Sequence, residues 1–459
     1  MSTVKNLSRQ NFTRHETWAE QAKDWISYVA RSSYLLQQGD YVADIAYFYG
    51  EEAPASVLFN TAPPAEIPRG YGYGYDFVSA DAILTQMSVV DGSFMTLSGM
   101  SYRVLYLGGT SERMTLPVLR KLQKMVAAGG VVLGAKPVET LRLTDNELDF
   151  NRITDAMWGS DDSRDSAVRK FGEGYVFTGT EVDMALNKLH VPKDFDYTGG
   201  DRSTQLLFNH RKLLNTHIYF VSNRSDRPES LDASFRVRGK APQLWYADDS
   251  RIEEASFQMA NGKTVVPLDL GSFESIFVVF RENTTERSYR AGEAEGSLVA
   301  SLDEDWQLSF TPKAGAPIKL EPVSLGSWSE QKNQALKYFS GTASYIREID
   351  VPDSWLSSDS NFVLDLGDVR ELAEVIVNSQ PLGTLWKPPY RVDVSKALRA
   401  GRNIVEVKVT NLWVNQLTGD QRPGTNVFSA TGTATYLPNA MLKPSGLIGP
   451  VIIEEFTAK

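Results

Sequence analysis

The spacing of apolar residues along the chain changes near residue 190, and this change limits the folds that are open to it. Residues 40–186 alternate short apolar runs with segments whose apolar residues recur every three or four positions. Beyond residue 190 the helical spacing disappears, and apolar and polar residues alternate instead. The pattern predicts a multidomain protein with an α/β part followed by all-β parts.

The predicted strands of the α/β part are short and apolar throughout. They are residues 42–49, 103–107, 131–133 and 175–178. Predicted helices begin at Ser79 and Thr115, which are residue types that cap helix N-termini, and the first of them extends to Met87. Continuously apolar strands separated by helices are typical of a parallel sheet covered on both faces. We therefore predict one α/β domain over residues 40–186.

The rest of the chain has the alternating pattern of antiparallel strands separated by turns. Residues 187–290 predict a small β-sandwich. The polar stretch 281–297 has no apolar period and predicts a linker. Residues 298–459 predict a second sandwich of the jelly-roll type.

The N-terminal part predicts one helix over residues 16–38 that ends at Gly39. Its apolar stripe consists of Trp18, Ala22, Trp25, Ile26, Val29, Ser33 and Leu36. Two tryptophans on one face need a large partner surface, and residues 1–15 supply little of it. We therefore expect this helix to belong to a larger domain.

Composition excludes several classes of function. The net charge is −10 and the pI is about 5.2, which argues against a nucleic-acid partner because phosphate binding needs clustered Lys and Arg. The chain has no cysteine, and its 4 histidines are scattered, so no zinc motif is present. The N-terminus has no apolar secretory segment, and no run reaches the ~20 apolar residues of a membrane span.

Several stretches resemble known glycoside hydrolases. Residues 364–420 (LDLGDVRELAEVIVN through NLWVNQLTGD) resemble the sugar-binding-type jelly-roll domain shared by family 2 and related glycoside hydrolases. Residues 11–54, 98–140 and 218–248 are similar, in the same order, to glycoside hydrolase family 106, the α-L-rhamnosidases. Shorter matches at 327–345 and 444–451 extend the resemblance over nearly the whole chain.

The family resemblance implies a domain order. Residues 1–39 would be a remnant of the catalytic (β/α)8 barrel, namely its last helix. Residues 40–186 would form a flavodoxin-like parallel-sheet domain, and 187–290 a β-sandwich. Residues 298–459 would form a galactose-binding-like jelly roll.

The resemblance also implies an activity. Family 106 hydrolyses terminal α-L-rhamnosyl linkages of plant polysaccharides, with two barrel carboxylates acting by inversion and with calcium in the active site. Those carboxylates lie on barrel strands that correspond to sequence before residue 11, so we assign no catalytic residue and no metal ligand. We expect an inactive accessory region whose full-length relatives are periplasmic or secreted. A stand-alone carbohydrate-binding protein, a structural fragment and a homo-oligomer stay open as alternatives.

Two groups near the N-terminus are candidate sugar contacts. Arg14 and His15 precede the predicted barrel helix, on the side of a barrel where active sites form. The alternative is that they cap the helix or face solvent. Tyr71, Tyr73 and Tyr75 alternate with glycine, and their rings are suited either to stacking on a sugar or to packing between domains.

The terminal domain offers further candidates. Trp386, Tyr390, Trp413 and Asn415 combine stacking rings with an amide, as sugar sites do. The alternative is that Trp386 and Trp413 fill the core of the sandwich or its contact with the barrel. The acidic triplet of Asp303, Glu304 and Asp305 has oxygen ligands suited to calcium. A solvated acidic turn is the alternative for that triplet.

Overall fold

The computed structural model describes residues 16–53, 72–160, 167–292, 295–310, 318–356, 361–422 and 436–457. Arg14, His15 and Tyr71 lie outside these ranges. The chain divides into two compact units. One unit is Ser32–Ala291, and the other combines Met1–Arg31 with Gly292–Lys459.

The first part of the unit Ser32–Ala291 contains several short strands. They are β1 (Asp40–Tyr41), β2 (Ile45–Phe48), β3 (Tyr75–Val78), β4 (Met87–Val90), β5 (Ser93–Thr96), β6 (Ser101–Tyr102), β7 (Val104–Leu107), β8 (Val131–Leu133), β9 (Ala167–Phe171) and β10 (Gly174–Thr178). Six of them form a sheet in the order β3–β2–β7–β8–β10–β9, parallel except for the edge strand β9. We call this sheet and its helices the parallel-sheet domain.

Helices cover both faces of the parallel sheet. They are α2 (Leu116–Ala127), α3 (Glu147–Trp158) and α4 (Val182–Lys188). Helix α1 (Ala22–Leu36) precedes the sheet in the chain. Side chains alternate between the two faces of a strand. Accordingly, Phe48 of β2 packs in one core with α2 and α3, whereas Tyr47 packs in a second core with α4.

The segment 79–96 differs from its prediction. The expected helix from Ser79 to Met87 is only a π-helix, Ala82–Gln86, and Met87 already begins β4. Asp91 and Gly92 both have positive φ and close a tight hairpin between β4 and β5. Asp-Gly is the dipeptide that favours this type of turn, so the hairpin ends the helix early.

The second half of the same unit is a sandwich of two antiparallel sheets, the first sandwich. Its strands are β11 (Phe195–Gly199), β12 (Leu206–Leu213), β13 (Thr216–Asn223), β14 (Glu229–Phe235), β15 (Lys240–Trp245), β16 (Ile252–Glu254), β17 (Phe257–Ala260), β18 (Lys263–Leu270), β19 (Ser275–Asn283) and β20 (Ser288–Tyr289). One sheet has the order β1–β12–β13–β19–β15–β16 and the other β11–β14–β18–β17–β20. Tyr219, Phe235 and Phe280 lie in the core between them.

Parts of the predicted linker 281–297 are β-strand. Strand β19 continues to Asn283, β20 pairs with β17, and the next strand begins at Glu295. The residues at 281–283 and 288–289 are exposed, which fits the polar sequence of this stretch, while β19 and β20 still pair with neighbouring strands through their backbones.

The other unit contains the terminal sandwich. Its strands are β21 (Glu295–Ser301), β22 (Trp306–Phe310), β23 (Ile318–Val323), β24 (Thr342–Val351), β25 (Asn361–Asp365), β26 (Asp368–Arg370), β27 (Leu372–Val377), β28 (Gln380–Leu385), β29 (Arg391–Asp393), β30 (Gly401–Thr410), β31 (Gly446–Gly449) and β32 (Ile452–Thr457). Its short helices are α5 (Gln334–Lys337), α6 (Asp353–Leu356) and α7 (Val414–Asp420). Sheets β21–β32–β25–β29 and β23–β22–β24–β30–β27–β28 enclose one core, and β26 pairs with β31.

Helix α1 follows a 3-10 turn at Ala19–Gln21 and ends before Gly39, whose φ is +54°. Its first ten residues belong to the unit that contains the terminal sandwich. Ile26 and Val29 of the predicted apolar stripe are 55% and 40% exposed. Of the helices in the described ranges, none is long and apolar enough to cross a membrane.

Candidate functional site

Two asparagines hold together the loops that follow β30 and precede β31 in the terminal sandwich. The Asn415 side-chain amide donates to the Lys443 carbonyl at 2.8 Å and to Ser445 Oγ at 2.9 Å, and its oxygen accepts from Lys443 N at 2.8 Å. Asn411 likewise donates to Phe339 O and Ser445 Oγ. The N–H groups of both amides are therefore used within the protein, and Asn415 positions a loop.

A small cavity opens between these loops. Glu371, Leu412 and Lys443 line it beside the two asparagines. Its volume is about 20 Å³, which is room for one water molecule and not for a sugar ring. The cavity therefore gives the Trp413–Asn415 segment no sugar-sized site.

The predicted aromatic residues of this domain lie at different places. Tyr390 is buried, its hydroxyl donates to the Glu371 carbonyl at 2.9 Å, and burial raises its pKa to about 12. Trp413 is partly buried at the start of α7. Their positions fit the alternative of a core and loop role.

Trp386 packs against the first part of α1. Its ring lies 5.0 Å from the ring of Tyr28, at an angle of 52°. Two residues earlier in the chain, Thr384 N donates to Asp24 Oδ2 at 2.7 Å. The tryptophan thus takes part in a contact between α1 and the β28 hairpin, which fits the alternative of a packing role for Trp386.

Of the three glycine-spaced tyrosines, the structure describes two. Tyr73 is 3% exposed and its hydroxyl donates to Val191 O at 2.9 Å, so its ring presents no open face to a sugar. Tyr75 lies in β3, where its ring packs 5.6 Å from Phe77. Arg14, His15 and Tyr71 lie outside the described residues.

A group of buried and partly buried ionisable residues in the unit Ser32–Ala291 is not predicted by the sequence pattern. We call it the buried charge cluster, and it consists of Asp44, Asp194, His210, His217, Tyr219 and Arg236. Asp194 is 0% exposed. It accepts from Tyr219 Oη at 2.8 Å, lies 2.8 Å from His210 Nδ1 and 3.4 Å from Arg236 Nε.

The cluster continues on both sides of Asp194. Both terminal nitrogens of Arg236 donate to Asp44, at 3.1 and 3.0 Å. On the other side, His210 Nε2 lies 2.9 Å from His217 Nδ1. One feature of the sequence points to this contact. His210 and His217 are seven residues apart on either side of a predicted strand boundary, and a hairpin brings such positions close together.

Burial opposes the charge on both carboxyl groups of the cluster, with different outcomes. Burial would raise the pKa of Asp194, but the charges and hydrogen bonds of His210 and Arg236 hold it below its usual value. Burial raises the pKa of Asp44 in spite of its contact with Arg236. Asp194 therefore stays ionised to a lower pH than Asp44 does.

The carboxyl edge of the parallel sheet, where α/β proteins bind anionic ligands at helix N-termini, is filled by the chain's own carboxylates. Glu51 accepts from Thr115 N at 2.6 Å and from its hydroxyl at 3.0 Å. Asp145 accepts from Leu116 N at 2.8 Å. Thr115 therefore stands at the N-cap, as predicted, but Glu51 and Asp145 satisfy the helix N–H groups.

The acidic triplet also has structural contacts. Asp303 accepts from Val451 N at 2.8 Å and from Ser301 Oγ at 2.9 Å, which ties β21 to the segment before β32. Glu304 and Asp305 are exposed. Within the ranges that the structure describes, no group of three His, Asp or Glu side chains is arranged to hold a metal ion.

A parallel-sheet domain followed by two β-sandwiches is the architecture of a multidomain protein. Comparison with known proteins gives the class. The chain belongs to the α-L-rhamnosidase family of glycoside hydrolases, family 106, which matches residues 3–259.

Two relatives extend this result. A solved rhamnosidase from Novosphingobium sp. PP1Y is 38% identical with a TM-score of 0.88, and the match covers 97% of this chain and 42% of that one. A putative β-glucuronidase from Formosa agariphila is 25% identical, over 90% of this chain and 53% of the relative. The chain thus spans about half, or less, of the length of these relatives.

Proposed function

We propose that the chain is the C-terminal accessory region of an α-L-rhamnosidase-like glycoside hydrolase that acts on rhamnose-containing plant polysaccharides. The observation that carries the proposal is the unequal coverage of the match with the solved rhamnosidase. Nearly all of this chain, 97%, aligns with less than half of that enzyme, 42%. In this proposal, the catalytic barrel lies in the part of such an enzyme that this chain does not cover.

Chemistry supports an inactive accessory region. Inverting glycosidases need an acid and a base about 6.5–9.5 Å apart, with a water molecule between sugar and base. The polar cavity of the terminal sandwich contains one carboxylate, that of Glu371, and is too small for a sugar. We therefore expect no rhamnose release by this chain alone, and we assign any calcium of the full enzyme to the barrel.

Helix α1 supports the proposed boundary with a barrel. Trp18 and Trp25 pack edge to face at 5.9 Å, while Ile26 and Val29 remain exposed on the helix surface. An exposed row of large apolar side chains is typical of a surface that another domain covers. We infer that α1 is the last helix of the barrel and that this row faces the other barrel elements.

The finer fold assignments belong to the same proposal. The parallel strands follow the order β3–β2–β7–β8–β10, which is the flavodoxin-like order of a doubly wound sheet. The two antiparallel sheets of the terminal sandwich support a galactose-binding-like jelly roll. Both domains would then buttress the barrel or contact polymer, in an enzyme that we expect to be periplasmic or secreted.

The alternative of a stand-alone carbohydrate-binding protein has less support. Tyr73 and Tyr390 are buried, Trp386 packs on Tyr28, and the side-chain amide of Asn415 is occupied. None of these four side chains presents the open stacking or hydrogen-bonding surface that a sugar requires.

An activity assay tests the proposal. We expect the purified chain to release no nitrophenol from 4-nitrophenyl α-L-rhamnoside, and we expect activity when a family 106 barrel is supplied as a separate polypeptide. Ile26→Lys on α1 should abolish this rescue, whereas the control Leu298→Lys, at an exposed leucine of the same unit, should retain it. Rhamnose release by the chain alone would refute the accessory role, and tight binding of a rhamno-oligosaccharide by the chain alone would favour the carbohydrate-binding alternative.

A further inference from the structure

The turn between β18 and β19 places a phenylalanine in an exposed and unfavourable position. Glu274 N donates to Gly271 O at 3.1 Å, which closes a four-residue turn with Phe273 at its third position. The φ of Phe273 is +52°, and turns with a positive φ at this position normally have Gly or Asn there. Phe273 is also 62% exposed, so burial of its ring offsets little of the backbone strain. Packing of the first sandwich therefore does not explain the ring.

The turn that contains Phe273 is tied to the loop between β13 and β14. Phe273 N donates to Ser225 O at 3.0 Å. The side-chain amide of Asn223, which is 1% exposed, donates to Arg227 O and to Gly271 O, at 2.8 Å in both cases. Phe273 and Arg227 are thus held on two connected loops at the same end of the first sandwich.

The guanidinium of Arg227 is fixed through one of its nitrogens. Arg227 Nη2 donates to Ser203 Oγ at 3.0 Å and lies 2.9 Å from Oε1 of the buried Glu229. Thr204 Oγ1 donates to the other oxygen of Glu229 at 2.7 Å, so the carboxylate is fixed as well. The side chain of Arg227 is 39% exposed, and within the described ranges its Nε and Nη1 groups form no hydrogen bond. Arg227 therefore offers oriented N–H donors to a ligand.

We propose that Phe273 and Arg227 form a contact site for a sugar ring of the polysaccharide on which the proposed hydrolase acts. The proposal rests on the function proposed above and gives the accessory region its contact with polymer. The phenylalanine ring stacks on the apolar C–H face of a sugar, while the guanidinium donates to its hydroxyl oxygens. An apolar protein surface in the same place would leave those donors without acceptors.

The size of the site indicates weak binding. One ring and one guanidinium support a Kd on the order of 1 mM for a single sugar unit. A weak contact of this kind serves an enzyme that holds its substrate elsewhere as well. It differs from the tight binding that the carbohydrate-binding alternative requires of the chain alone.

Weak-affinity chromatography of the full chain tests the site. The column is agarose with coupled rhamnogalacturonan fragments, the blank is plain agarose, and the buffer contains about 0.2 M NaCl to screen long-range charge contacts. We expect the unmodified chain to be retained relative to the blank and Phe273→Gly to bind about tenfold more weakly. Phe273→Tyr keeps a ring and should keep the retention. Arg227→Lys keeps the charge beside Glu229 but loses the planar fork, so its binding should fall about threefold.

A stability measurement separates a binding role of the ring from a folding role. Glycine adopts a positive φ without strain, so Phe273→Gly should keep or raise the urea midpoint of the chain. Leu214→Gly is the matched control. Leu214 is 87% exposed with a φ of +52°, but it lies in the β12–β13 turn at the other end of β13. This variant should gain the same backbone freedom and keep the retention on the column.

Several outcomes would overturn the proposal. They are no retention of the unmodified chain, equal retention of F273G, unchanged binding by R227K, an equal loss in L214G, or a lower urea midpoint for F273G. Failure of the accessory role itself would appear elsewhere, in the nitrophenyl rhamnoside assay with a separate barrel. That small substrate needs no contact with Phe273, so F273G should be rescued by the barrel as well as the unmodified chain is.

Discussion

Single hydroxyl groups connect distant segments of the terminal sandwich. The hydroxyl of Tyr345 is buried and accepts from Trp328 Nε1 at 2.6 Å and from Leu447 N at 3.2 Å. These contacts join β24, the 3-10 turn at Trp328–Glu330 and β31. Burial raises the pKa of Tyr345 to about 12, which keeps its hydroxyl neutral over the working pH range of proteins. One oxygen atom thus satisfies two buried donors.

Removal of this oxygen should destabilise the chain more than removal of a comparable one. Tyr345→Phe leaves two buried N–H groups without an acceptor, and we expect a loss of about 2–4 kcal/mol in the free energy of unfolding. Tyr390→Phe leaves a single carbonyl without its donor and should cost about 1 kcal/mol. Urea titrations followed by circular dichroism measure both, and equal losses would contradict the argument.

Residue types alone do not separate a sugar site from a core, and this limits what sequence can predict at this scale. Tyr390 and Asn415 are chemically suited to both, and their roles depend on partners 19 and 28 residues away, Glu371 and Lys443. The buried charge cluster was missed for a similar reason. Asp44 and Arg236 are 192 residues apart, and each alone has the sequence appearance of a surface charge.

At the scale of elements, α2 depends on carboxylates from two other segments for its N-terminus. Glu51→Ala removes both hydrogen bonds to Thr115, and we expect a loss of about 1–2 kcal/mol, the usual cost of losing a helix cap. The neighbouring Glu52 forms a partly exposed ion pair with Arg113, so Glu52→Ala should cost less than about 1 kcal/mol. Thermal unfolding of both variants under identical conditions provides the comparison.

The contact between Trp386 and Tyr28 makes a prediction about α1. Trp386→Ala removes the ring that packs on the first part of the helix, so trypsin should cleave after Lys23 and Arg31 faster than in the unmodified chain. Tyr34→Ala, which removes a 66% exposed ring from the same helix, is the control and should not change the cleavage rate. Equal rates for both variants would show that the ring contact does not hold the helix.

Elements with a clear period were predictable, and those made by turns or by polar strands were not. The alternating apolar pattern located β24 and β30, which pair over ten residues each in the structure. The helical apolar period predicts a helix through Met87, but the Asp91–Gly92 turn pairs β4 with β5 and so places Met87 in a strand. The polar sequence around β20 predicts a linker, because the side chains of β20 are exposed and its pairing with β17 is through the backbone.

At the scale of the whole molecule, the unit Ser32–Ala291 combines two domains that supply each other with residues. The unit Ser32–Ala291 contains three hydrophobic cores and the whole buried charge cluster. The first sandwich alone would lack β1, which supplies an edge strand to one of its sheets, and Asp44, which pairs with Arg236. The first sandwich and the parallel-sheet domain therefore form one unit of stability, although their sequence patterns predict two domains.

This argument gives the last prediction. A fragment of residues 32–291 should fold with one cooperative urea transition, because every member of the charge cluster has its partners within it. A fragment of residues 187–291 leaves Arg236 without the carboxylate of Asp44 and exposes the edge of β12, so it should unfold at lower urea or aggregate. Asp44→Asn in the longer fragment isolates the electrostatic part, and it should lower the urea midpoint without changing the slope of the transition. Two separate transitions in the 32–291 fragment would show that the contacts between the parallel-sheet domain and the first sandwich do not couple the two domains.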